Sequence, residues 1–299
     1  MSQAQSSTIE SPTQRIWRTF SCDYIALGGL CVLSVLILAA LFAPFLVPQN
    51  PYDLAQLNIL DARLPPGAFS FDEKIYYLLG TDDQGRDIYS AIIYGMRISL
   101  GVGLVSTLGA LMTGTILGLT AAYLGNKADS LVMRIVDIQL SFPAILIALI
   151  LLAVFGQGLG KIIIALITVQ WAYYARTVRS AALVEMWKEY IEAARCLGLG
   201  HSRIIFNHLL PNCVAPLIVV AAMQIAAAIA LEATLSFLGL GLPITEPSLG
   251  LLISNGYSYL MSGKYWISFY PGLALLVMIV SINLVADRLR DTLNPKLQK

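Results

Sequence analysis

Charge is scarce in this chain. Asp, Glu, Lys and Arg make up 12% of its 299 residues, about half the share in a soluble globular domain. The net charge is +1 and no run of basic residues occurs, so no surface exists for a polyanion, and nucleic acid is excluded as a partner. Histidine is nearly absent: only His201 and His208 occur, seven positions apart, with no HExxH and no GxSxG. That excludes the common zinc-hydrolase and serine-hydrolase signatures. The four cysteines, Cys22, Cys31, Cys196 and Cys213, show no CxxC spacing and read as small apolar helix residues. The nearest thing to a phosphate-binding loop is GQGLGKI, residues 156–162, preceded by Phe155 and with Ile162 where a Ser or Thr is required. The chain therefore has no ATP site of its own. Paired carboxylates inside oily segments, expected of a transporter driven by an ion gradient, are also missing, and no internal repeat is visible.

What the chain has in abundance is apolar surface. It is 57% hydrophobic, with mean hydropathy +0.73, the composition of an all-α membrane protein. A span needs ~20 mostly apolar residues. Six runs qualify, near 25–47, 98–124, 135–156, 162–180, 213–240 and 266–286. The first is too long for a signal-peptide core of ~7–15 residues and belongs to the mature protein. With the N-terminus in the cytoplasm, thirteen of the nineteen Lys and Arg residues fall inside, as the positive-inside bias requires. Both termini are then cytoplasmic. The organisation reads as a tail 1–24, a first span 25–47, an external acidic segment 48–97, a five-helix core 98–286 and a tail 287–299. Within the external segment Ser70 is expected to face solvent.

Two spans carry small residues at every fourth position: Ala110, Gly114, Gly118, Ala122 in one, and Ala222, Ala226, Ala230, Thr234 in the other. Such rows let helices approach closely in lipid, where apolar burial alone drives no association. The two acids within the oily runs are Asp137 and Glu232. Asp137 follows Arg134 by three residues, a spacing for a local ion pair. Glu232 lies about 20 residues past Pro211, roughly 30 Å along a helix and so near the outer face. It reads either as an interfacial acid in contact with water or as a carboxylate at the mouth of a pathway.

Between the fourth and fifth oily runs the chain turns polar: YIEAARCLGLGHSRIIFNHLLPN, residues 190–212. From Ala182 to Leu197 the spacing predicts a helix with Met186, Tyr190, Ala194 and Leu197 on one face and Glu185, Glu189 and Glu192 on another, Lys188 pairing with Glu192. Gly198 is a left-handed helix stop. Ser202 is placed to cap a second short helix that Pro211 ends. A short amphipathic helix on such a loop fits either a groove on a partner or the lipid interface.

Glu192, Ala193 and Ala194, then Gly198, then Leu210 and Pro211 resemble the EAA loop of bacterial ABC-importer permeases. The family pattern has an apolar residue at His208, but the His208–Asn212 form is familiar in its peptide-importer branch. A second stretch, LGTDDQGRDIYSAIIYGMRISL at 79–100, resembles the GTDxxGRD signature of the C-type permease of dipeptide, oligopeptide and nickel importers. It is carried by Gly80, Thr81, Asp82, Gly85, Arg86 and Asp87. Physically it reads as a capped helix start, Thr81 and Gln84 forming a capping box with Asp82 and Asp83 at the positive helix end. Ala91 stands where the family has Arg, a change expected to alter one surface contact. LSFLGLGLP, residues 235–243, also matches, with Leu249 in place of the family's Trp. The resemblance extends from residue 15 to the last residues.

The resemblance implies a type I importer permease of six spans, with the loop 182–212 on the cytoplasmic side between spans four and five. In that family His201, Ser202 and Arg203 belong to a coupling loop that docks on separate ATPase subunits, which bind the ATP. It also implies a paralogous second permease, two ATPase subunits, an extracytoplasmic substrate-binding protein, and a place in the bacterial inner membrane. The protein would catalyse nothing itself and hold no cofactor or metal. Peptide is the expected cargo, with nickel, glutathione and sugars as the branch's other substrates. Glu232 is the candidate for the pathway.

Overall fold

The computed structural model describes residues 18, 20–53, 55, 57–243, 246 and 248–293; most of the two expected tails lies outside them. Helix α1 (Tyr24–Leu41) begins where the Asp23 side chain accepts the Ile25 and Ala26 N–H groups, at 2.9 and 3.3 Å. It stops at Leu41, short of the expected limit of 47. The chain restarts at Phe42 as one turn, α2 (Ala43–Leu46), with Pro44 in its first turn. A polar segment follows, containing a two-strand antiparallel hairpin, β1 (Ala68–Phe69) and β2 (Tyr76–Tyr77), in register Ala68–Tyr77 and Phe69–Tyr76.

Then come the long helices: α3 (Ile88–Leu124), α4 (Asn126–Ser141), α5 (Ala144–Phe155), α6 (Leu159–Glu185), α7 (Glu189–Cys196), α8 (His201–Phe237), α9 (Leu249–Tyr257) and α10 (Trp266–Leu293). Four described helices, α1, α3, α8 and α10, are long and apolar enough to cross a membrane, and the bent pair α4–α5 counts as a fifth if it is one span. The bend, 94°, replaces the single straight span expected at 135–156. Its cause is Pro143: the preceding Phe142 is forced into extended backbone (φ −95°, ψ 143°), because a proline disfavours the helical region for its predecessor. The fourth expected span, 162–180, falls on α6, which has the length, 27 residues, but carries Lys161, Arg176, Arg179 and Glu185. Lys161 and Arg176 are exposed and Arg179 and Glu185 only half-buried; they stand towards the two ends of the helix, whose buried side packs against α3, α4, α5 and α8.

The first small-residue row behaves as expected. Ala110, Gly114, Gly118 and Ala122 are all buried, and α3 meets α6 along them. A Cβ on Gly118 would lie 2.4 Å from both the Ala175 carbonyl oxygen and the Val178 side chain. The second row does not act as a row within this chain. Only Ala226 of the four is buried, and Thr234 is exposed, bonding its own Ala230 carbonyl at 2.7 Å. The buried stripe of α8 is instead Ala226, Ile229 and Ala233.

Polar ties lock the bundle. Trp171 Nε1 donates to Gln139 Oε1 at 2.8 Å, joining α6 to α4, and Gln170 Nε2 donates to the Gln224 carbonyl at 2.9 Å, joining α6 to α8. Asp137 pairs with Arg176 across the α4–α6 contact and not with Arg134. The neighbouring pair is Arg179 with Asp129, Nη2 to Oδ2 at 2.6 Å. Two antiparallel helices bring these side chains together more directly than a three-residue step along one helix does.

Candidate functional site

The two family-like motifs stand at opposite ends of one element. Asp87 caps the start of α3 and Tyr123 is at its other end. At 1.5 Å per residue the helix separates them by roughly 50 Å, more than the ~30 Å thickness of a bilayer core.

At the Leu124 end, α7 lies over α3 and α8. Ile191 and Ala194 form its buried side, packed with Ile204, Leu199 and Tyr123. The Tyr123 hydroxyl and His201 Nδ1 are 2.7 Å apart. The remaining face is open: Trp187, Glu189, Glu192, Ala193, Arg195 and Leu197 are all exposed. Ala194 is thus the footing of the motif, and Glu192 and Ala193 belong to its outer face. Gly198 adopts the left-handed conformation expected of it, φ +70°. Two bonds close the helix end, Leu199 N–H to the Ala194 carbonyl at 3.2 Å and Gly198 N–H to the Arg195 carbonyl at 3.0 Å, the Schellman pattern.

Four local expectations fail here. The helix expected from Ala182 to Leu197 is broken at Met186–Lys188, so α6 ends and α7 starts afresh. Lys188 therefore pairs with Glu185 at 2.7 Å and not with Glu192. Ser202 caps nothing: Gly200 precedes the helical turn His201–Arg203, and Ser202 and Arg203 are exposed on it. Pro211 does not end that helix. A π-helical turn, Ile204–Leu209, carries it on, with the Leu210 N–H reaching back five residues to the Ile205 carbonyl. Leu210 and Pro211 then open the α-helical part of α8. A proline lacks the N–H of the regular ladder and crowds the preceding turn; the wide π turn makes room for it.

At the Ile88 end, the signature residues build a knot and not a capping box. Asp87 is the helix cap, its Oδ2 accepting Ser90 N–H at 3.0 Å and Ser90 Oγ–H at 2.5 Å. Thr81 faces the other way: its hydroxyl donates to the Asp61 carbonyl at 2.5 Å and accepts the Leu64 N–H at 2.7 Å. Asp82 Oδ1 gathers the N–H groups of Gln84 and Arg86 at 2.8 and 2.9 Å. Burial pushes the Asp82 carboxyl up to about 6, against those bonds and the Arg86 charge, which pull it down. Arg86 itself is buried and donates to Gln84. Gly80 and Gly85 take positive φ, and a Cβ on Gly85 would lie 2.3 Å from the Asn58 carbonyl.

Asp61, which carried no motif, is the centre of the knot. It is buried and accepts Phe71 N–H at 2.6 Å and the Tyr77 hydroxyl at 3.1 Å. The Trp266 indole reaches the Thr81 carbonyl at 3.4 Å, tying the knot to α10. Ser70 is buried, not exposed, because its hydroxyl accepts the Lys74 and Ile75 N–H groups. Ala91, expected at a surface contact, is fully buried in the first turns of α3.

Glu232 is not an interfacial acid in this structure. It is fully buried, accepting Ser99 Oγ–H at 3.0 Å from α3 and Ser236 Oγ–H at 2.7 Å from its own helix, with the Ser248 hydroxyl beside it at the start of α9. Distance along the helix put it near the outer end, but α9, an element the sequence did not suggest, covers it. Ser248 capping and the close seat of Gly250 on the Ala233 backbone hold α9 there. The loop around α7, the knot and Glu232 are three separate places, and the structure brings no two of them together. Among the described residues no group of His, Cys, Asp and Glu is placed to hold a metal ion.

Residues 114–299 match the family described as binding-protein-dependent transport system inner membrane component, and residues 11–66 match the N-terminal TM domain of oligopeptide transport permease C. The chain is 38% identical over 288 residues to the di/tripeptide transport system permease protein DppC of Pseudomonas aeruginosa, covering 96% of this chain and 93% of that one. It is 39% identical to the dipeptide transport system permease protein DppC of Escherichia coli K12, covering 97% and 95%. Among solved structures, a chain of the MetNI methionine ABC transporter in inward-facing conformations superposes with a TM-score of 0.56 at 22% identity, over 68% of this chain and 96% of that one. That likeness is one of fold.

Proposed function

The chain belongs to the family of binding-protein-dependent transport system inner membrane components, and from that premise we propose that it is the C-type permease subunit of an ATP-driven peptide importer. It forms half of a translocation pathway with a paralogous permease. Two cytoplasmic ATPase subunits drive the cycle, and an extracytoplasmic binding protein delivers the peptide. The observation that carries this reading is the near full-length identity to permeases named for dipeptides and tripeptides. It favours peptide over nickel, glutathione or sugar as cargo.

In this reading the fold is of the type I importer kind with six spans, α4–α5 and α6 among them, and with both termini in the cytoplasm. The exposed face of α7 docks on an ATPase. Because Ile191 and Ala194 seat α7 on Ile204, at the root of α8, and His201 meets Tyr123, at the end of α3, a displacement of the loop passes directly into two long helices. Such rigid-body transmission is how a small movement becomes alternating access. The decisive experiment reconstitutes the complete complex in liposomes and compares ATP-dependent uptake of a labelled dipeptide and of nickel ion. Dipeptide accumulation without nickel accumulation is expected; the reverse would refute the peptide assignment.

The orientation has its own test. A cysteine at Lys74, a side chain 79% exposed, should react with an impermeant thiol reagent in intact spheroplasts. A cysteine at Ser202 should react only after the membrane is opened. Lys74 replaces the buried Ser70 as the reporter. Reversed labelling would put the coupling loop outside and end the ATPase contact.

A further inference from the structure

Helices α3 and α6 diverge towards the Ile88 end of α3. At Gly118 and Gly114 they meet main chain to main chain: a Cβ would lie 2.4 Å from the Ala175 and Trp171 carbonyl oxygens. At Gly109 a Cβ would still meet the Ile167 side chain at 2.5 Å, but at Gly101 it would meet nothing within 4 Å. The result is a wedge, closed at depth and open towards the start of both helices. Its volume is about 480 Å³, within the ~300–1,000 Å³ range of small-molecule sites.

The wedge is polar at one end only. Along α3 its lining is a single stripe, Tyr94, Ile98, Val102 and Val105, at the three- and four-residue spacing of one helix face. Leu159 and Ile163 of α6 complete the apolar wall. Arg97, and Tyr52 from the polar segment before α3, join Tyr94 at the outer end, and Arg97 is the only charge among the lining residues. The two tyrosine rings meet edge to face, centroids 5.1 Å apart. Arg97 is exposed and makes no ion pair among the described residues. From Tyr94 to Val105 the stripe runs roughly 16 Å at 1.5 Å per residue. One leaflet contributes about the same, half of a ~30 Å bilayer core. The surface beside the wedge, Leu104 and Leu108 of α3 and Ile164 of α6, is apolar and exposed, so an occupant reaches it from hydrocarbon and not through a polar passage.

We propose that this wedge holds one phospholipid of the outer leaflet, its phosphate on Arg97 beside Tyr52 and Tyr94 and one acyl chain along the α3–α6 stripe. A guanidinium binds two phosphate oxygens at once, and tyrosine rings suit the boundary between membrane and water. A peptide laid along the same stripe would leave its backbone N–H and C=O groups unpaired against apolar walls. The choice of leaflet rests on the orientation read above; the site itself does not.

The test uses the complete complex, stripped of lipid by washing in detergent and titrated with phosphatidylglycerol while native mass spectra count the lipids bound. A first, tight class of lipid should bind at least tenfold more strongly than the rest. Arg97→Ala should weaken that class at least fivefold, and Arg97→Lys, which keeps a charge for the phosphate, should restore most of it. Gly101→Leu puts a side chain into the wedge and should abolish it. Dioleoylglycerol, which has the chains and no phosphate, should bind the wild type no better than phosphatidylglycerol binds Arg97→Ala. Equal binding of phosphatidylglycerol by the wild type, Arg97→Ala and Gly101→Leu would overturn the site. Displacement of the lipid by dialanine would overturn it in favour of a substrate site, and displacement by inorganic phosphate in favour of a site for a free anion. Loss of the sister permease from the Arg97→Ala complex would overturn it in favour of a subunit contact. Reversed labelling at Lys74 would instead move the lipid to the other leaflet and leave every one of these results in place.

Discussion

Gly118→Leu is expected to abolish accumulation of the protein in the membrane. The α3–α6 contact is the widest in the bundle, and at Gly118 it is a contact with main chain: a Cβ would sit 2.4 Å from the Ala175 carbonyl oxygen and 2.9 Å from its Cα. A flexible side chain could move aside, but a helix backbone cannot move without separating two helices along their length. Forcing extra atoms into a packed interior costs about 1–3 kcal/mol where neighbours can adjust, and here they cannot. In lipid no hydrophobic gain holds the separated pair together. Gly118→Ala adds one atom at the same place and should already lower the yield. Gly101→Leu, on the same helix but facing open space, should accumulate normally. The measurement is the amount of each variant in purified membranes and its co-purification with the sister permease. Equal yields for Gly118→Leu and Gly101→Leu would show that the small-residue row is not what joins α3 to α6.

Gly198→Val should leave the protein in the membrane but cut peptide uptake by tenfold or more. Gly198 has φ +70°, and a Cβ there would meet nothing within 4 Å, so the cost is in the backbone alone. A left-handed conformation costs a residue with a Cβ about 1–2 kcal/mol, and for a β-branched residue it is a true outlier. The Schellman bonds at Ala194 and Arg195 then open, and α7 loses the turn that aims its exposed face. Since ~1.4 kcal/mol is a factor of ten in population, strain of this size empties the docking-competent loop. Asn tolerates the left-handed region, so Gly198→Asn should keep most of the uptake. ATPase co-purification and uptake are both read. Normal values for Gly198→Val would remove the loop from the coupling role, and equal losses for Val and Asn would show that something other than backbone geometry is at work there.

Much of the fold is legible because lipid imposes a simple rule. A segment that crosses hydrocarbon must be long, helical and apolar, and α1, α3, α8 and α10 obey it plainly. The exceptions each have a physical cause. The bend at Phe142–Pro143 is written in the sequence as a proline, but it is hidden inside an apolar run. Helix α6 turns polar towards its end, where Arg176 and Arg179 pair with Asp137 and Asp129 of α4. Helix α9 is nine residues long, too short for hydropathy to notice, and it is the element that buries Glu232.

At the level of residues the division is the same. Composition alone determined that this is a membrane protein, and spacing alone determined the left-handed turn at Gly198 and the close approach along Ala110, Gly114, Gly118 and Ala122. Those are consequences of local geometry, of where a Cβ is missing, and they read directly from residue types. Tertiary structure decided the long-range polar partnerships: Asp137 with Arg176 and not Arg134, Thr81 with Asp61 and not a helix end, Glu232 with Ser99 and not water. A hydrogen bond or ion pair is set by which atoms converge within about 3 Å, and in a bundle those atoms come from helices far apart in the chain. Ser99 and Glu232 are separated by 133 positions, a distance along which no periodicity carries information.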